Sequence, residues 1–292
     1  MLLIQQPIKE LSIPPEVTVG NRKRFSTSTD IAWIDDHKFI SATFNSRNIY
    51  LIELKDNATH EVLDVIKAPY NPDLLDYRNG MLATSDYPFS NPHGHTSIFD
   101  IVNDKIVYRK SILLPNTKAH GCKILDDNTV IITSNSDDNR GCLFIDIEKG
   151  KVNHIFNDMK HYPKDAYNKG NRLIVVCAAS LPQIGRTTVI RESILYLFDL
   201  NTFEKLDEVT FHGQTDALTM ENNHVFVTIQ GDDTVACFTL IDDKLTYIGR
   251  VGGFNFPHGI DAYNGKIAVT NYGDNTIRIF TTSELLDKIA KP

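Results

Sequence analysis

Residues 256–280 read FPHGIDAYNGKIAVTNYGDNTIRIF, and this stretch decides the fold. It predicts three short strands separated by two turns. Asn264-Gly265 is a strong signal for a two-residue hairpin, because both residue types tolerate a positive φ angle. Lys266–Thr270 is rich in residues that favour strands, and Thr276–Phe280 resumes the alternation after a second turn.

The same arrangement recurs upstream, which indicates a repeat architecture. The positions taken as equivalent in the first strand of each unit are Asp30, Asp73, His120, Lys164, Asp216 and His258, at intervals of 43, 47, 44, 52 and 42 residues. A period in the forties with four strands per unit is typical of a β-propeller. The sequence therefore predicts an all-β, six-bladed β-propeller. A single domain spans residues 1–292, with blades opening near residues 28, 71, 118, 162, 214 and 256.

The last unit has only three strands before a short helix predicted at residues 283–290. An N-terminal segment, residues 7–15, has the character of the fourth strands elsewhere, such as residues 109–115. We expect it to pair into blade six, because joining the two chain ends removes the exposed sheet edges of an open ring.

Composition narrows the possible functions. The net charge of −7 argues against broad nucleic-acid binding, which requires a basic face. The N-terminal segment lacks the features of a signal peptide, and no apolar run is long enough to span a bilayer, so we expect a cytoplasmic protein without membrane contact. The four cysteines, Cys122, Cys142, Cys177 and Cys237, show no paired spacing and are expected to be reduced and packed.

Two segments carry a family resemblance. Residues 267–280 resemble the repeat of YVTN-type propellers, with Val269-Thr270-Asn271 at the signature core, and residues 256–260 resemble blade openings of NHL, gluconolactonase-like and streptogramin-lyase-like proteins. The resemblance implies the propeller fold and a range of functions that includes lactonases, lyases and binding scaffolds. It also implies a divalent metal, Ca, Mg, Zn or Fe, near the channel mouth.

In a propeller, the starts of the innermost strands and the ends of the next strands surround the mouth of the axial channel. His120 and His258 lie in the third and sixth units, so we expect them to face each other, as catalytic acid and base or as metal ligands with Asp73, Asp86 or Asp216 alongside. Each precedes a glycine, which would let a ligand approach closely. The predicted substrate-binding residues at the same face are Asp30, Asp73, Lys164, Asp216, Asn135 and Asn271. The alternative is that such polar residues bond neighbouring blades together.

Two long breaks, residues 86–96 and 178–192, are expected to overhang this face as binding loops. Asp86, His93 and His95 form a candidate metal site on the first. Arg186 on the second is predicted to bind a substrate carboxylate or phosphate. Exposed loop residues without such a role are the alternative for both.

The leading hypothesis is a propeller enzyme that acts on a small molecule by hydrolysis, as lactonases do, or by elimination, as lyases do. The alternative is a non-enzymatic scaffold that binds a ligand or a protein. An enclosed polar pocket that both histidines reach would favour the enzyme. A flat face with the histidines bonded to backbone would favour the scaffold.

Overall fold

Six four-stranded antiparallel sheets account for most of the chain in a computed structural model of the protein. The structure describes residues 9–12, 18–19, 22–23, 27–55, 59–88, 92–157, 159–178 and 192–289. Five sheets consist of consecutive strands, whereas the sixth joins the first strand of the chain to its last three. This arrangement confirms the predicted six-bladed β-propeller.

The strands follow in blade order. Ahead of the first blade lie β1 (Lys9–Ser12) and a small hairpin of β2 (Thr18–Val19) and β3 (Arg22–Lys23). Blade one holds β4 (Ser28–Trp33), β5 (Lys38–Thr43), β6 (Asn48–Leu54) and β7 (His60–Lys67). Blade two holds β8 (Pro72–Arg78), β9 (Met81–Asp86), β10 (Gly94–Val102) and β11 (Lys105–Leu114). Blade three holds β12 (Ala119–Asp126), β13 (Thr129–Ser134), β14 (Gly141–Asp146) and β15 (Lys151–Phe156).

The second half of the chain repeats this order. Blade four holds β16 (Tyr162–Lys169), β17 (Arg172–Ala178), β18 (Glu192–Asp199) and β19 (Lys205–His212). Blade five holds β20 (Thr215–Glu221), β21 (His224–Ile229), β22 (Thr234–Ile241) and β23 (Lys244–Gly252), with a 3-10 turn at Gln230–Asp232. Blade six holds β24 (Pro257–Tyr263), β25 (Lys266–Asn271) and β26 (Thr276–Thr281), followed by helix α1 (Thr282–Asp287).

The ring closes in blade six. β1 pairs antiparallel with β26, with Lys9 opposite Ile279 and Ser12 opposite Thr276. The predicted closure by an N-terminal strand is therefore confirmed. Helix α1 begins with a capping box, in which Thr281 accepts a hydrogen bond from the backbone N–H of Glu284 and the Glu284 side chain reaches back.

The apolar core lies between the blades. In the described residues, six clusters of buried side chains each join neighbouring blades, including the last and the first, and the cluster between blades five and six also contains Leu74 of blade two. Inner strands are thus buried on both faces, as in β6, whereas the outer strand β7 is mostly half-buried or exposed. The hydrophobic effect therefore acts around the ring and stabilises it as one unit.

Buried aspartates add a polar bond between blades. Four carboxylates of first strands accept a hydrogen bond from a backbone N–H of the next blade: Asp30 from Leu75 at 2.7 Å, Asp76 from Ile124 at 2.8 Å, Asp165 from Leu218 at 3.0 Å and Asp261 from Trp33 at 2.8 Å. A buried backbone N–H needs such an acceptor, because leaving it without a partner costs free energy. These residues hold the ring together.

Two further sequence predictions can be compared with the structure. The four cysteines are buried and form no disulfide, as expected, and burial raises the pKa of each thiol. Within the described residues, no helix combines the length and apolarity required to cross a bilayer.

Candidate functional site

A β-bulge opens each of the six first strands. The pairing register shifts there and leaves the following residues unpaired: Thr29, Asp73-Leu74, His120-Gly121, Lys164, Asp216-Ala217 and His258-Gly259. A bulge changes the direction of a side chain relative to the regular alternation of the strand. The first unpaired residue of each blade can therefore face its counterparts at the mouth of the channel.

Hydroxyl side chains of the second strands satisfy the backbone groups that the bulges release. Thr270 accepts from the N–H of Gly259 at 2.8 Å and donates to the carbonyl of Thr29 at 3.0 Å, which links blade six to blade one. Ser85, Thr133 and Thr228 form the same bridge in their blades. Thr270 is the central residue of Val269-Thr270-Asn271, so this tripeptide supplies a hydrogen bond between blades six and one.

The bulge register corrects the predicted equivalence of Asp30. Ser28 pairs with Thr43 and Asp30 pairs with Ala42, so Thr29 is the residue that corresponds to Asp73 and His120. Asp30 lies one residue further on, where its carboxylate is bonded to blade two, and burial raises its pKa well above the usual range. Asp30 therefore has the alternative role, that of a polar residue that bonds neighbouring blades together.

The other five first-strand residues meet in one group, the axial cluster of Asp73, His120, Lys164, Asp216 and His258. Asp216 bridges both histidines: its Oδ1 lies 3.2 Å from His120 Nε2, and its Oδ2 lies 3.0 Å from His258 Nδ1. The second contact is not aligned as a hydrogen bond and acts through charge. Asp73 lies 3.7 Å from His120 Nε2 and 3.9 Å from His258 Nε2. The structure thus brings the two predicted catalytic histidines together, with ring centroids 6.4 Å apart.

Lys164 contributes an ammonium group to the axial cluster. Its Nζ lies 3.1 Å from His120 Nε2 and 3.5 Å from Asp216 Oδ1, among two carboxylates and two imidazoles. An ammonium group in that position repels a second cation and competes for the same ligand atoms. The donor set, with Lys164 present, therefore does not fit the divalent metal that the family resemblance implies.

Burial and charge shift the titration of the cluster. Burial would raise the pKa of Asp216, but His258, His120 and Lys164 together outweigh it and hold that pKa well below its usual range. Burial would lower the pKa of His258, but Asp216 and then Asp73 raise it above its usual value. Burial raises the pKa of Asp73 despite both histidines. Asp216 is therefore the ionised partner of His258.

Exposure separates the cluster into two depths. The side chains of His258, Asp73 and His120 are 11%, 8% and 6% exposed, whereas those of Lys164 and Asp216 are each 3% exposed. A ligand at the mouth would touch the first three. Asp216 and Lys164 lie beneath and set their charge and orientation.

The glycines after the histidines pack against the neighbouring blade. A Cβ atom on Gly259 would lie 2.5 Å from Asp30 Cα, and one on Gly121 would lie 2.6 Å from Asp165 Cα. Contacts this short with backbone atoms are not tolerated. The prediction that these glycines admit a ligand is wrong, because the space they leave is filled by the next blade.

A second polar layer lies further along the axis, three residues on in the first strands, and its side chains are somewhat more exposed than the axial cluster. Lys123 Nζ donates to Asp76 at 2.7 Å and lies 4.6 Å from the ring centre of Tyr167. These residues line a cavity of about 20 Å³, enough for one water molecule. Burial raises the pKa of Asp165 to about 8 and that of Asp261 to about 6.

The remaining predicted site residues have separate surroundings. Asn271 accepts from Asn255 N–H and donates to Thr276, so it stabilises a turn. Asn135 is buried, and its Oδ1 has no hydrogen-bond partner among the described residues. Arg186 lies outside the described residues, as do residues 179–191 of its loop.

The Asp86, His93 and His95 residues do not form a three-ligand group. Asp86 accepts from Thr84 and Ser97, and His93 accepts from Asn116 N–H. His95 belongs to strand β10 and stacks on Tyr70. In the part of the chain that the structure describes, no group of three His, Cys, Asp or Glu side chains suited to a metal is found.

The raised pKa of the buried Asp86 carboxyl can be tested through its effect on stability. Burial raises its pKa to about 7, against the opposing effect of the Ser97 and Thr84 hydroxyls. The folded protein therefore holds this proton more tightly than the unfolded chain, and stability falls as the pH rises from about 4 to about 7. Asp86→Asn resembles the protonated acid, so it should match the wild type near pH 4 and exceed it at pH 8 by up to about 4 kcal/mol.

Urea unfolding at both pH values measures this difference. The control is Asp127→Asn, which changes an exposed carboxylate. An equal effect of Asp86→Asn at both pH values would show that folding does not raise the pKa of Asp86.

Two tyrosines of the mouth were not predicted. Tyr87 lies edge-on to His120 with centroids 6.3 Å apart, and Tyr272 stacks on His258 at 5.6 Å. Each follows directly after the end of its blade's second strand, Asp86 or Asn271. That shared position is a signal that the sequence does contain.

Comparisons with known proteins support the fold. No family model and no curated protein matches this chain. The WD40 β-propeller domain of Doa1 superposes with a TM-score of 0.62 at 14% identity, covering 94% of this chain and 97% of that one. Hydrazine synthase from Kuenenia stuttgartiensis has a TM-score of 0.60 at 12% identity, with 88% and 84% coverage. A chain of a mitotic checkpoint complex has a TM-score of 0.62 at 10% identity, with 96% and 92% coverage. At such identities the likeness concerns the β-propeller fold alone.

Proposed function

We propose that the protein is an acid–base enzyme that hydrolyses an ester or lactone bond of a small molecule at the channel mouth. The observation that carries the proposal is the shared Asp216 carboxylate between two imidazoles in a nearly closed polar site. The resemblance of residues 256–280 to YVTN- and NHL-type propellers, which include lactonases, supports it. Hydrazine synthase is an enzyme by its name, so the fold is compatible with catalysis.

In the proposed mechanism each imidazole has its own role. Asp216 faces Nδ1 of His258 and leaves Nε2 as the nitrogen that exchanges a proton with a ligand. His258 Nε2 removes a proton from water, and the water oxygen forms a bond to the substrate carbonyl carbon. The bond from that carbon to the leaving oxygen breaks, and His120 Nε2 protonates the leaving oxygen. The products are a carboxylic acid and a hydroxyl group, and solvent restores both histidines.

Turnover of dihydrocoumarin, an aryl lactone, and p-nitrophenyl acetate tests the proposal. His258→Gln should lower kcat by roughly 100-fold or more, since general base catalysis contributes about 10²–10⁴-fold. His120→Gln should have a similar effect. The control is His212→Gln, which changes an exposed histidine at the end of β19.

The pH profile gives an independent measurement. His258 must be neutral to act as a base, so kcat/KM should rise with pH through a pKa above the ordinary 6.5. Asp216→Asn removes a charge that raises this pKa, and the rise should move to lower pH. If neither ester is turned over, or if His258→Gln leaves kcat unchanged, the proposed chemistry is wrong.

A binding scaffold is the second candidate, and one contact favours it. His120 Nδ1 lies 2.9 Å from the Lys164 backbone carbonyl, so this histidine also joins blades three and four. The checkpoint-complex chain shows by its name that a similar propeller belongs to a protein assembly. A scaffold would show no turnover, and His120→Gln would lower the unfolding temperature while His258→Gln would not.

A further inference from the structure

A continuous row of six rings crosses the channel mouth, and it includes both histidines of the axial cluster. Consecutive centroids are 5.6–6.5 Å apart, and the order is Phe44, Tyr87, His120, His258, Tyr272 and Phe256. His120 and His258 are parallel within 8°. Aromatic rings at these separations interact favourably with one another and with any further ring placed on them.

The row is accessible where it leaves the cluster. Tyr87 and Tyr272 are half-buried, and Phe256 is 39% exposed. A ligand at His258 would therefore have the rings of Tyr272 and Phe256 beside it. Pockets for small molecules combine such apolar walls with a few polar groups that fix orientation.

Phe256 is held in a strained conformation at the edge of this mouth. Its φ angle is +50°, in the left-handed region that bulky side chains rarely adopt. Two backbone bonds fix it there: its N–H donates to Asp233 Oδ1 at 2.7 Å, and its carbonyl accepts from Tyr272 N–H at 3.1 Å. Asparagine would fit this backbone better and would expose no apolar surface. Strain that is kept together with an exposed ring points to a function for the ring.

We infer that the site takes a planar, aromatic substrate, whose ring stacks on Tyr272 and Phe256 while its ester or carboxylate reaches His258 and His120. This inference rests on the proposed function and adds the chemical class of the substrate. Stacking selects flat molecules, because a saturated ring of equal size cannot approach an aromatic face as closely.

Two acids of matched size and charge test the inference by binding alone. Benzoate is flat and cyclohexanecarboxylate is not, and calorimetry or ligand-observed NMR gives both Kd values. We expect the wild type to bind benzoate roughly three- to ten-fold more tightly, from stacking with about two rings. Tyr272→Leu should abolish this preference, and Tyr272→Phe should retain it. Tyr263→Leu changes an exposed tyrosine at the other end of β24 and should have no effect.

The variant Phe256→Asn separates a ligand-binding role of the Phe256 ring from a packing role. It should raise the unfolding temperature, because asparagine tolerates the positive φ angle, and at the same time weaken benzoate binding. A packing role alone would make the variant less stable.

The outcomes separate this inference from the proposed chemistry. Equal affinity for the two acids, no binding of either, or a preference that survives Tyr272→Leu would overturn the aromatic specificity. Preferential benzoate binding without turnover of either ester would overturn the hydrolysis and leave the substrate class standing.

Discussion

Gly259→Ala should destabilise the protein by at least about 3 kcal/mol, as expected when a side chain is forced into a closely packed site. The new Cβ would lie 2.5 Å from Asp30 Cα and 2.7 Å from the Thr29 carbonyl oxygen, where blade six meets blade one. Both contacts are with backbone, which a rotamer change cannot relieve. The variant must therefore open the junction that closes the ring.

Urea unfolding of the full chain measures this loss. Gly121→Ala should behave similarly, since its Cβ would lie 2.6 Å from Asp165 Cα. Gly231→Ala is the matched control, because its nearest neighbour would be 4.0 Å away. If Gly259→Ala were as stable as Gly231→Ala, the close approach of blades six and one would be incorrect.

Lys164→Ala should convert the axial cluster into a site for a transition metal. Removal of the ammonium would let the two carboxylates and two imidazoles move toward a shared ion, an arrangement not found among the described residues of the wild type, and such N and O ligands suit Zn²⁺. Loss of the Lys164 contact, with Asp216 still paired to both histidines, should destabilise the metal-free variant by about 1.5–3 kcal/mol. We expect Zn²⁺ affinity to exceed that of the wild type by roughly two orders of magnitude or more.

Calorimetry with Zn²⁺ alone, and unfolding temperatures with and without it, measure the change. Zn²⁺ should raise the unfolding temperature of Lys164→Ala and leave that of the wild type unaltered. Lys164→Met removes the charge but keeps the volume, so it should bind little metal. Adding Asp216→Asn to Lys164→Ala should abolish binding. Equally tight binding by the wild type would refute the view that Lys164 excludes a metal.

The architecture could be predicted because it follows from local signals. Turn residues such as Asn264-Gly265 and the period in the forties indicate four strands per unit, and the missing strand of the last unit indicates closure by residues 7–15. The structure adds that β1 occupies Lys9–Ser12. Each of these features depends on neighbours in sequence or on a count of strands.

The bulges could not be predicted, and they determine the site. One unpaired residue moves the axial position of blade one from Asp30 to Thr29. The choice depends on how the backbone of blade one packs against Gly259 of blade six, a contact between residues far apart in sequence. The same long-range packing fills the space beside Gly121 and Gly259, and for this reason the prediction that these glycines admit a ligand is wrong.

The role of Lys164 also depends on tertiary structure. Its position at the mouth was predicted, but its place among both histidines and Asp216 follows from the radii and angles of five blades. Sequence spacing gives no such distances. In contrast, the opposition of His120 and His258 follows from symmetry alone and is seen in the ring separation of 6.4 Å.

The pairing of β1 with β26 has a consequence for biosynthesis. Strand β1 finds its partner β26 only after blade six has been translated. The axial cluster draws side chains from five blades, so a nascent or prematurely terminated chain lacks a complete set. A complete axial cluster should therefore form only after blade six, which supplies His258, has been translated.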